Sequence, residues 1–367
     1  MKILIVHTRN DIISGAEYAI TDMLKTLPND IKFEMMTPGY GALSNYLEEK
    51  GFKVHVKKYS GPRRKYPGLY QLSSLFLMKW LKKQQFDIIL CNTFAASFRV
   101  SLAAKWAGIK VAIYTREYFS KKKQVNLNQV KRAYSIIAVS EDVKDYYEDM
   151  HPNVSVCHDT IDIDSINKRL NNHQNSLLKK SRFNIGFLGR LTGYKQPDLF
   201  IRAIPHIIKE IPEAHFHIVG KAVPKEYNFE ASLKQLAKEL EVDSYVTFWG
   251  YRKDSIEILK DLDIFCLTSD REPFPRTILE SMLAGTPVIC SNTGGCKEMV
   301  QNDITGLHFD VCNNYNYLSL ARQIVRLFND RKLNKEIVTN SFNFIEETFG
   351  SKNQIKHFFD TLKLISK

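Results

Sequence analysis

Two carboxylates, Glu272 and Glu280, lie eight positions apart in the segment "EPFPRTILE" and are the first candidates for chemistry. The apolar run "DIFCLTS" before them predicts a buried strand. The two prolines then keep the chain out of helical geometry until Pro275 can begin a helix, predicted over 275–284 with Gly285 as its stop. Either glutamate alone could be a surface acid or a helix-dipole partner. Together, before and on the flank of a helix N-terminus, they are suited to accept hydrogen bonds from sugar hydroxyls.

A second set of candidates follows the apolar run "FNIGFLGR". Gly189 permits close backbone approach, and Arg190 and Lys195 place two cations just beyond the strand. Arginine binds phosphate bidentately and lysine acts as a point charge, so the pair suits a diphosphate, although either could be a solvated surface cation. The loop containing Gly294 and Gly295 also follows a strand. In open α/β sheets ligands bind beyond the carboxyl ends of the strands, so these groups are expected at one edge.

The elements that must position these groups are short apolar runs alternating with helix-length segments. The early runs are "KILIVHT", "FKVHVKKY", "FDIILCNT", "KVAIYTRE" and "YSIIAVS", and the later ones are "FNIGFLGR", "HFHIVGK", "YVTFWGY", "DIFCLTS" and "TPVICSN". Val/Ile/Leu runs without strict alternation are typical of strands buried on both faces of a parallel sheet, which predicts an α/β fold. The alternation breaks over the Asn-rich stretch at about 163–182. Two Rossmann-like, doubly wound domains facing a cleft are therefore predicted. Their bounds are an N-terminal domain at 1–165, a linker at 166–182, a C-terminal domain at 183–345 and a helix within 346–367 that packs back on the N-terminal domain.

The composition of the 367-residue chain is ordinary for a globular protein, with 44% apolar and 25% charged residues. No stretch approaches the roughly 20 apolar residues that span a bilayer. The six cysteines form no CxxC pair, which favours buried, reduced thiols over a metal site. Two Asp-x-Asp triplets, Asp162–Asp164 and Asp261–Asp263, are predicted to lie at the linker and before a buried strand rather than to bind metal.

The net charge of +12 is concentrated in the N-terminal part of the chain. Residues 1–140 carry 23 basic and 9 acidic side chains, and the segment from Lys50 to Phe86 has ten basic residues and no acidic one. Such a one-signed surface indicates a polyanionic partner, namely nucleic acid, a phosphorylated substrate or an acidic membrane, unless it is only a solvated basic face. No zinc-ligand spacing or RNA-binding aromatic motif supports nucleic acid.

Four motifs together resemble those of the retaining, nucleotide-sugar-dependent GT-B glycosyltransferases of family 4, also called group 1 glycosyltransferases. They are "GRLTGYK", "EPFPRTILESMLAGTPV", "NTGGCKEMV" and "DITGL". The resemblance is specific over about 183–310 and loose in the N-terminal half. It implies a nucleotide-diphosphate sugar as co-substrate, with a UDP-sugar expected, and no metal or other cofactor.

The resemblance also implies roles for single residues. Arg190 and Lys195 would hold the diphosphate, Glu272 the donor-sugar hydroxyls and Glu280 the ribose. The leaving diphosphate would take the acceptor proton while the cations stabilise its charge, without a protein nucleophile. Further binding positions implied in the same way are Gly15, Arg116, Glu117 and Gly189, then Tyr251 and Arg252 near the base, and Phe274, Arg276 and Thr277 as backbone donors.

The chain departs from the family pattern in its N-terminal half. Ser14-Gly15 stands where many members carry Gly-Gly, and Arg116-Glu117 stands where many carry histidine before an acid. The function expected is transfer to a lipid-linked or anionic glycan acceptor in cell-surface polysaccharide biosynthesis. The enzyme would be cytoplasmic and peripheral at the inner membrane face, docked through its basic half.

Two other enzyme classes fit the same scaffold. A sugar-nucleotide epimerase would convert the donor without an acceptor. A phosphorylase would be expected to have a longer chain and a pyridoxal-phosphate lysine.

Overall fold

The computed structural model divides the chain into two compact units. One comprises Met1–Ile161 with Ser351–Lys367, the N-terminal unit, and the other comprises Asp162–Gly350, the C-terminal unit. The structure describes residues 1–12, 15–25, 30–57, 67–119, 124–223, 226, 228–311 and 316–366, with the backbone alone at 67 and 351–353. Ser14, Cys312 and the basic residues at 58–65 lie outside these ranges.

The N-terminal unit is built on a parallel sheet of seven strands. The strands are β1 Lys2–Val6, β2 Lys32–Thr37, β3 Lys53–Val56, β4 Ile88–Cys91, β5 Lys110–Thr115, β6 Ser135–Ala138 and β7 Val154–Val156. The helices are α1 Gly15–Leu24, α2 Ala42–Glu49, α3 Pro67–Gln84, α4 Phe94–Ala107, α5 Gln124–Arg132 and α6 Glu141–Glu148. The strand order is β3-β2-β1-β4-β5-β6-β7, so the sheet is doubly wound, with its switch point between β1 and β4.

The C-terminal unit repeats this plan with six parallel strands. They are β8 Phe183–Leu188, β9 Ala214–Val219, β10 Val246–Gly250, β11 Ile264–Leu267, β12 Val288–Ser291 and β13 Leu307–Phe309, in the order β10-β9-β8-β11-β12-β13. The helices that follow in the chain are α7 Ile163–Asn172, α8 Pro197–Glu210, α9 Phe229–Glu239, α10 Ser255–Asp261, α11 Arg276–Leu283, α12 Cys296–Met299, α13 Asn316–Asn329, α14 Arg331–Thr348 and α15 Ser351–Ser366. Every residue of β9, β11 and β12 is buried, as the continuous apolar runs predict.

These two doubly wound parallel sheets confirm the predicted α/β class. None of the helices in the described ranges combines the length and the apolar character that crossing a bilayer requires.

The C-terminal helix and the segment predicted as a linker each belong to one of the two units. Helix α15 belongs to the N-terminal unit, where the ring of Phe359 packs 5.5 Å from that of Phe33. The stretch predicted as a linker at 166–182 is grouped with the C-terminal unit. It includes the end of α7, whose Arg169 Nε donates to Glu257 on α10 at 2.9 Å. The apolar residues Ile163, Ile166 and Leu170 follow helical spacing, so α7 had a usable signal in the sequence.

Aspartates of both acidic triplets accept hydrogen bonds from the backbone, and the described cysteines are buried. Asp162 accepts from the backbone N–H of Ser165 at 2.9 Å and caps α7, and Asp263 accepts from Asn184 N at 2.6 Å. The five cysteines in the described ranges are free and buried, and burial raises the pKa of Cys157 to about 11. Burial raises the pKa of Cys91, Cys266 and Cys290 as well, so these thiols and that of Cys157 stay protonated near neutral pH.

Candidate active site

The carboxyl ends of β8 and β11 bring a cation and a carboxylate together. The two strands are neighbours in the sheet, so the loops that follow them lie side by side. Lys195 Nζ forms an ion pair with Glu272 Oε1, and the two side chains keep only 12% and 8% of their surface exposed. Burial opposes the charge of Lys195, but the neighbouring Glu272 carboxylate outweighs it, so the pKa of Lys195 is raised. The site therefore holds a permanent ammonium beside an acid.

Hydroxyl groups at the end of β11 hold both loops in place. Thr268 Oγ1 donates to the carbonyl oxygens of Lys195 and Gln196 at 3.0 and 2.9 Å. Ser269 Oγ donates to Glu272 Oε1 at 2.8 Å, next to the contact that this oxygen makes with Lys195. Two of the lone pairs on one carboxylate oxygen are thereby used, which fixes the orientation of Glu272.

The glycines after β12 support the backbone that carries Glu272. Gly295 N donates to Glu272 O at 2.8 Å. A Cβ atom at Gly294 would lie 2.4 Å from Glu272 O, and one at Gly295 would lie 2.1 Å from Pro273 O. Gly294 also has a φ of +55°, a conformation that other residues rarely adopt. Side chains are therefore excluded here, because the two loops touch backbone to backbone.

A close backbone contact likewise supports the loop after β8. Gly189 N donates to Val219 O at 3.0 Å, and a Cβ atom at Gly220 would lie 1.8 Å from Gly189 O. The aliphatic stem of Lys195 passes 3.7 Å from the position of a Gly189 Cβ. Arg190 is exposed at the start of this loop, and its positive charge partly offsets the pairing that raises the pKa of Lys195. Two cations thus lie close together at the edge of the sheet.

The helix predicted behind Glu272 is present as α11, with Pro275 as its N-cap and Ala284 as its C-cap. Gly285 follows with a φ of +76°, which confirms the predicted stop. Arg276 and Thr277 form the first turn, where backbone N–H groups have no intrahelical acceptor. Glu280 is half-buried one turn further along α11.

Phe274 lies just before this helix with its ring in an aromatic cluster. The ring centroid is 5.6 Å from that of Phe349, and Phe274 is largely buried. Its side chain therefore anchors the loop, and only its backbone is a candidate for ligand contact.

The turn after β10 presents Tyr251 and Arg252. Tyr251 is 66% exposed, whereas Arg252 donates to both carboxylate oxygens of Asp254, at 2.8 and 2.5 Å. The Arg252 guanidinium also lies 5.1 Å from the Trp249 ring centroid. β9 separates β10 from β8, so this turn lies two strands from Lys195 along the same edge.

Two buried histidines on β9, His215 and His217, form hydrogen bonds next to this turn. His217 Nδ1 accepts from Trp249 Nε1 at 3.1 Å, so its Nε2 carries the hydrogen that faces Asn184 Oδ1 at 3.0 Å. His215 Nδ1 accepts from Arg182 at 2.6 Å. Burial and the neighbouring Arg182 charge lower the pKa of His215 to about 4. Burial, with His215 and Arg182 nearby, lowers that of His217 to about 3.

In the N-terminal unit, Arg116 is the centre of a buried polar network. Its Nε and Nη2 donate to Asp159 at 2.7 and 2.6 Å, and its Nη1 donates to Asn92 Oδ1 at 3.0 Å. Tyr114 Oη donates to the same Asp159 carboxylate at 2.8 Å. Burial opposes the charge of Arg116, but Asp159 outweighs it and raises the pKa of the guanidinium. The Arg116 donors are therefore largely occupied by protein acceptors.

The same network reaches the start of α1, whose first residue is Gly15. His7 Nε2 lies 2.9 Å from Glu17 Oε1, and both side chains are almost completely buried. Asn92 Nδ2 donates to Ala16 O at 3.2 Å, which ties the first turn of α1 to the end of β4.

Glu117 has a different partner. Its Oε1 accepts from the backbone N–H of Phe94 at 3.1 Å, at the N-terminus of α4. Burial of the carboxylate outweighs this hydrogen bond, so the pKa of Glu117 is raised.

Comparison with known proteins agrees with this architecture. A family model described as "Glycosyl transferases group 1" matches residues 168–344, and one described as "Glycosyltransferase Family 4" matches residues 13–165. The chain is a group 1 glycosyltransferase of the GT-B type. The resemblance stated from the motifs is thereby confirmed, and the match extends to the N-terminal half, where the motifs are loose.

Individual relatives are similar over nearly the whole length of this glycosyltransferase. A UDP-Gal:α-D-GlcNAc-diphosphoundecaprenol α-1,3-galactosyltransferase of Escherichia coli is 28% identical, with 94% of each chain covered. The structure of Anabaena HepE in complex with UDP and glucose superposes with a TM-score of 0.83 at 23% identity, covering 99% of each chain. A glycosyltransferase from Rickettsia africae superposes with a TM-score of 0.81 at 21% identity, covering 100% of this chain and 98% of its own.

The glycosyltransferase fold brings together part of the predicted set. Lys195 and Glu272 are in contact, Gly189 lies beneath Lys195, and Arg190 is close enough to influence its charge. The remaining members lie elsewhere on the two units. On the C-terminal unit, Phe274, Arg276, Thr277 and Glu280 follow Glu272 into α11, and Tyr251 and Arg252 follow β10. On the N-terminal unit are Gly15, Arg116 and Glu117.

Sequence reasoning missed several polar residues of this glycosyltransferase. They are Ser269, at the end of β11, and His7, Glu17, Asn92 and Asp159 in the N-terminal network. A usable signal exists for two of them, because His7 and Asn92 directly follow the apolar runs that form β1 and β4. Glu17 and Asp159 carry no such signal, since nothing local marks them as buried.

Ser269→Ala is expected to lower kcat about tenfold with little change in the KM for the donor. The variant removes the hydroxyl that orients Glu272 but leaves both charges of the ion pair. The lost hydrogen bond should cost about 1 kcal/mol of unfolding free energy. Steady-state kinetics and urea denaturation of the same sample measure both effects.

Ser281→Ala is the matched control for this variant. Ser281 is equally buried in the same unit, and its Oγ donates to Thr286 O at 3.0 Å. A similar loss of stability with unchanged kcat is expected. Equal kcat values for the two variants would mean that Ser269 has only a structural role.

Acidification is expected to destabilise the C-terminal unit through His215 and His217. Above pH 6.5 both rings are neutral in the folded and the unfolded chain. Below pH 6.5 both histidines become protonated in the unfolded chain. In the folded chain they stay neutral until the pH approaches their lowered pKa values, about 4 for His215 and about 3 for His217. Stability therefore falls as the pH drops from 6.5 towards 4, with a slope approaching about 1.4 kcal/mol per pH unit for each histidine.

The double variant His215→Gln/His217→Gln tests this pH dependence. It should be less stable at pH 7.5 but should show a flatter slope between pH 6.5 and 4.5 in urea titrations. A slope equal to that of the wild type would exclude the two histidines as the source.

Proposed function

We propose that this glycosyltransferase transfers a sugar from a UDP-sugar, with retention of configuration, to a lipid-linked glycan acceptor at the cytoplasmic face of the membrane. The product would enter cell-surface polysaccharide biosynthesis. The observation that carries the proposal is the buried pair of Lys195 and Glu272 beside the exposed Arg190. Two findings on relatives support it: HepE has been crystallised with UDP and with UDP-glucose, and the Escherichia coli relative is named for a UDP-Gal donor and a diphosphoundecaprenol acceptor.

The ion pair explains how donor binding could prepare the site. Without ligand, Lys195 is neutralised by Glu272. A donor diphosphate offers Lys195 and Arg190 a doubly charged partner, which competes with the carboxylate for the ammonium. Glu272 then has a lone pair available for the sugar hydroxyls, while Ser269 keeps its orientation.

The transfer step needs no protein nucleophile in this scheme. The bond between the anomeric carbon and the diphosphate oxygen breaks, and the acceptor oxygen attacks from the same face. The acceptor proton passes to the departing diphosphate oxygen. Lys195 and Arg190 stabilise the charge that grows on that oxygen, which is electrostatic catalysis by groups already in place. These two cations supply the charge that a metal ion would otherwise supply.

The remaining positions would bind the rest of the donor and the acceptor. Glu280 on α11 would accept from the ribose hydroxyls, and the first turn of that helix, with Phe274, Arg276 and Thr277, would offer backbone N–H groups. The turn of Tyr251 and Arg252 would contact the base, with the Tyr251 ring free for stacking. On the N-terminal unit, Gly15 and Glu117 would bind substrate. Arg116 would act by positioning, because Asp159 and Asn92 occupy its donors.

Calorimetry with UDP, GDP, ADP and CMP tests the donor assignment. A ligand that binds only the folded protein also raises its melting temperature, so thermal shift gives an independent readout. Binding of UDP alone, weakened at least tenfold in Arg190→Ala, is the expected result. The UDP assignment would be overturned if another nucleotide bound tightly or if no nucleotide bound.

Product analysis tests the reaction itself. The enzyme would be incubated with UDP-galactose, UDP-glucose or UDP-N-acetylglucosamine and a diphosphoundecaprenol-linked N-acetylglucosamine, with and without EDTA. NMR of the product should show an α linkage and an EDTA-independent rate. Inversion would contradict the retaining scheme, and conversion of the donor without acceptor would identify an epimerase.

A further inference from the structure

Helix α3 of the N-terminal unit has an exposed face that is apolar. Its inner face is buried and includes Tyr70, Leu77 and Leu81, at 7%, 6% and 0% exposure. These positions follow helical spacing and account for the packing of α3 on α4. Four large apolar side chains point the other way, namely Leu69 at 47%, Leu72 at 53%, Leu75 at 43% and Phe76 at 66% exposure.

The next turns of the same outer face are cationic. Lys79, Lys82 and Lys83 are all exposed, and α3 contains no acidic residue. At 1.5 Å per residue the apolar group spans roughly 10 Å along the helix, and the three lysines continue it for about another turn. We call these seven residues, Leu69, Leu72, Leu75, Phe76, Lys79, Lys82 and Lys83, the α3 surface.

We propose that the α3 surface docks the enzyme on an anionic lipid bilayer. Leu69, Leu72, Leu75 and Phe76 enter the boundary between headgroups and acyl chains. The lysines of the last turns stay at the level of the lipid phosphates, with their aliphatic stems against the apolar layer. The inference rests on the proposed function, since a lipid-linked acceptor presents its sugar at this interface.

The charge distribution favours a bilayer over a second copy of the chain. In a symmetric dimer through the α3 surface, the three lysines of each copy would face the lysines of the other copy if the helices were parallel, or its apolar group if they were antiparallel. Both arrangements leave the lysines without acidic partners. A membrane with anionic lipids offers hydrocarbon next to negative charge, which matches both parts of the surface. Large exposed apolar groups clustered on one helix are also uncommon on monomers without a binding role.

Vesicle sedimentation tests the proposal. Wild-type enzyme would be mixed with vesicles of phosphatidylethanolamine and phosphatidylglycerol and with vesicles of phosphatidylcholine alone, at 50 and 300 mM salt. The quadruple variant Leu69→Ser/Leu72→Ser/Leu75→Ser/Phe76→Ser should lose at least tenfold in partitioning to the anionic vesicles at either salt concentration. For the triple variant Lys79→Gln/Lys82→Gln/Lys83→Gln, partitioning to the anionic vesicles should fall about tenfold at 50 mM salt. Its partitioning should also depend less on salt concentration than that of the wild type.

A matched control uses exposed apolar residues elsewhere in the chain. Ile304 and Leu364 are 52% and 72% exposed, and Ile304→Ser/Leu364→Ser should partition like the wild type. UDP calorimetry on every variant should give unchanged affinity, which shows that each is folded and keeps the donor site separate from the docking test.

Three outcomes would overturn the proposal. The first is a wild type that binds UDP but not anionic vesicles, which leaves the transferase function standing. The second is a quadruple variant that binds vesicles as well as the wild type does. The third is a wild-type dimer in analytical ultracentrifugation that the quadruple substitution dissociates, which would assign the α3 surface to self-association.

Discussion

Glu272→Gln is expected to lower kcat by about a hundredfold or more while leaving the affinity for UDP within about threefold. The amide keeps the size of the side chain and can still accept from Ser269, but it no longer neutralises Lys195 or carries charge at the sugar. Because Lys195 then loses its protein counter-ion, a diphosphate meets less competition for it. Turnover should fall without a parallel loss of binding, the pattern of an interaction made mainly in the transition state.

Glu280→Gln is the informative comparison for this variant. Glu280 lies on α11 and is proposed to bind the ribose, so its loss should weaken UDP binding about tenfold and change kcat less. Glu239→Gln, at an exposed position of α9, controls for the loss of one negative charge and should match the wild type in both measurements. Equal and small effects of Glu272→Gln and Glu280→Gln would refute both assignments.

The ion pair of Lys195 and Glu272 also predicts that substitutions of the two residues have non-additive effects on stability. Lys195→Met leaves the Glu272 carboxylate buried without its cation, which should cost about 3–5 kcal/mol. Adding Glu272→Gln removes the uncompensated charge, so the double variant should be more stable than Lys195→Met alone although it is inactive. Urea denaturation of the four proteins gives the coupling energy, and additive losses would mean that the two side chains do not form an ion pair in solution.

Arg116→Met is expected to destabilise the N-terminal unit by about 3–5 kcal/mol. Asp159 is only 3% exposed and would lose its cationic partner, although the hydrogen bond from Tyr114 would remain. Asn92 would also lose the donor to its side-chain oxygen. Hydrogen–deuterium exchange of peptides from β4 and β5 measures the effect within this unit, where protection should fall by more than a hundredfold.

Two further variants separate charge burial from simple loss of contacts. Arg116→Met/Asp159→Asn should recover part of the stability, because the double variant no longer holds an unpaired buried charge. Lys144→Met breaks an exposed ion pair with Glu141 in the same unit and should cost less than about 1 kcal/mol. Similar losses for Arg116→Met and Lys144→Met would show that the buried network does not support the fold.

The strands that could be predicted are those with continuous apolar runs. β1, β4, β5 and β6 follow the predicted segments closely, as do β8, β9, β11 and β12, because strands covered on both faces need apolar side chains throughout. β3 and β10 were also predicted, although neither is fully buried. The strands missed were β2, whose run is broken by Glu34, and the three-residue strands β7 and β13. Short edge strands bury too few residues to leave a pattern.

The candidate site divides in a similar way. The sequence by itself determined the α/β class and the types of residue that end each strand, including Lys195 and Glu272, since burial and backbone geometry select these locally. Only the tertiary structure decided that loops 77 positions apart touch, because that depends on β8 and β11 being neighbours in the sheet. It also decided that Arg116 is occupied by Asp159 and that one face of α3 stays uncovered. Side-chain partners and exposed faces follow from long-range packing, which local periodicity does not encode.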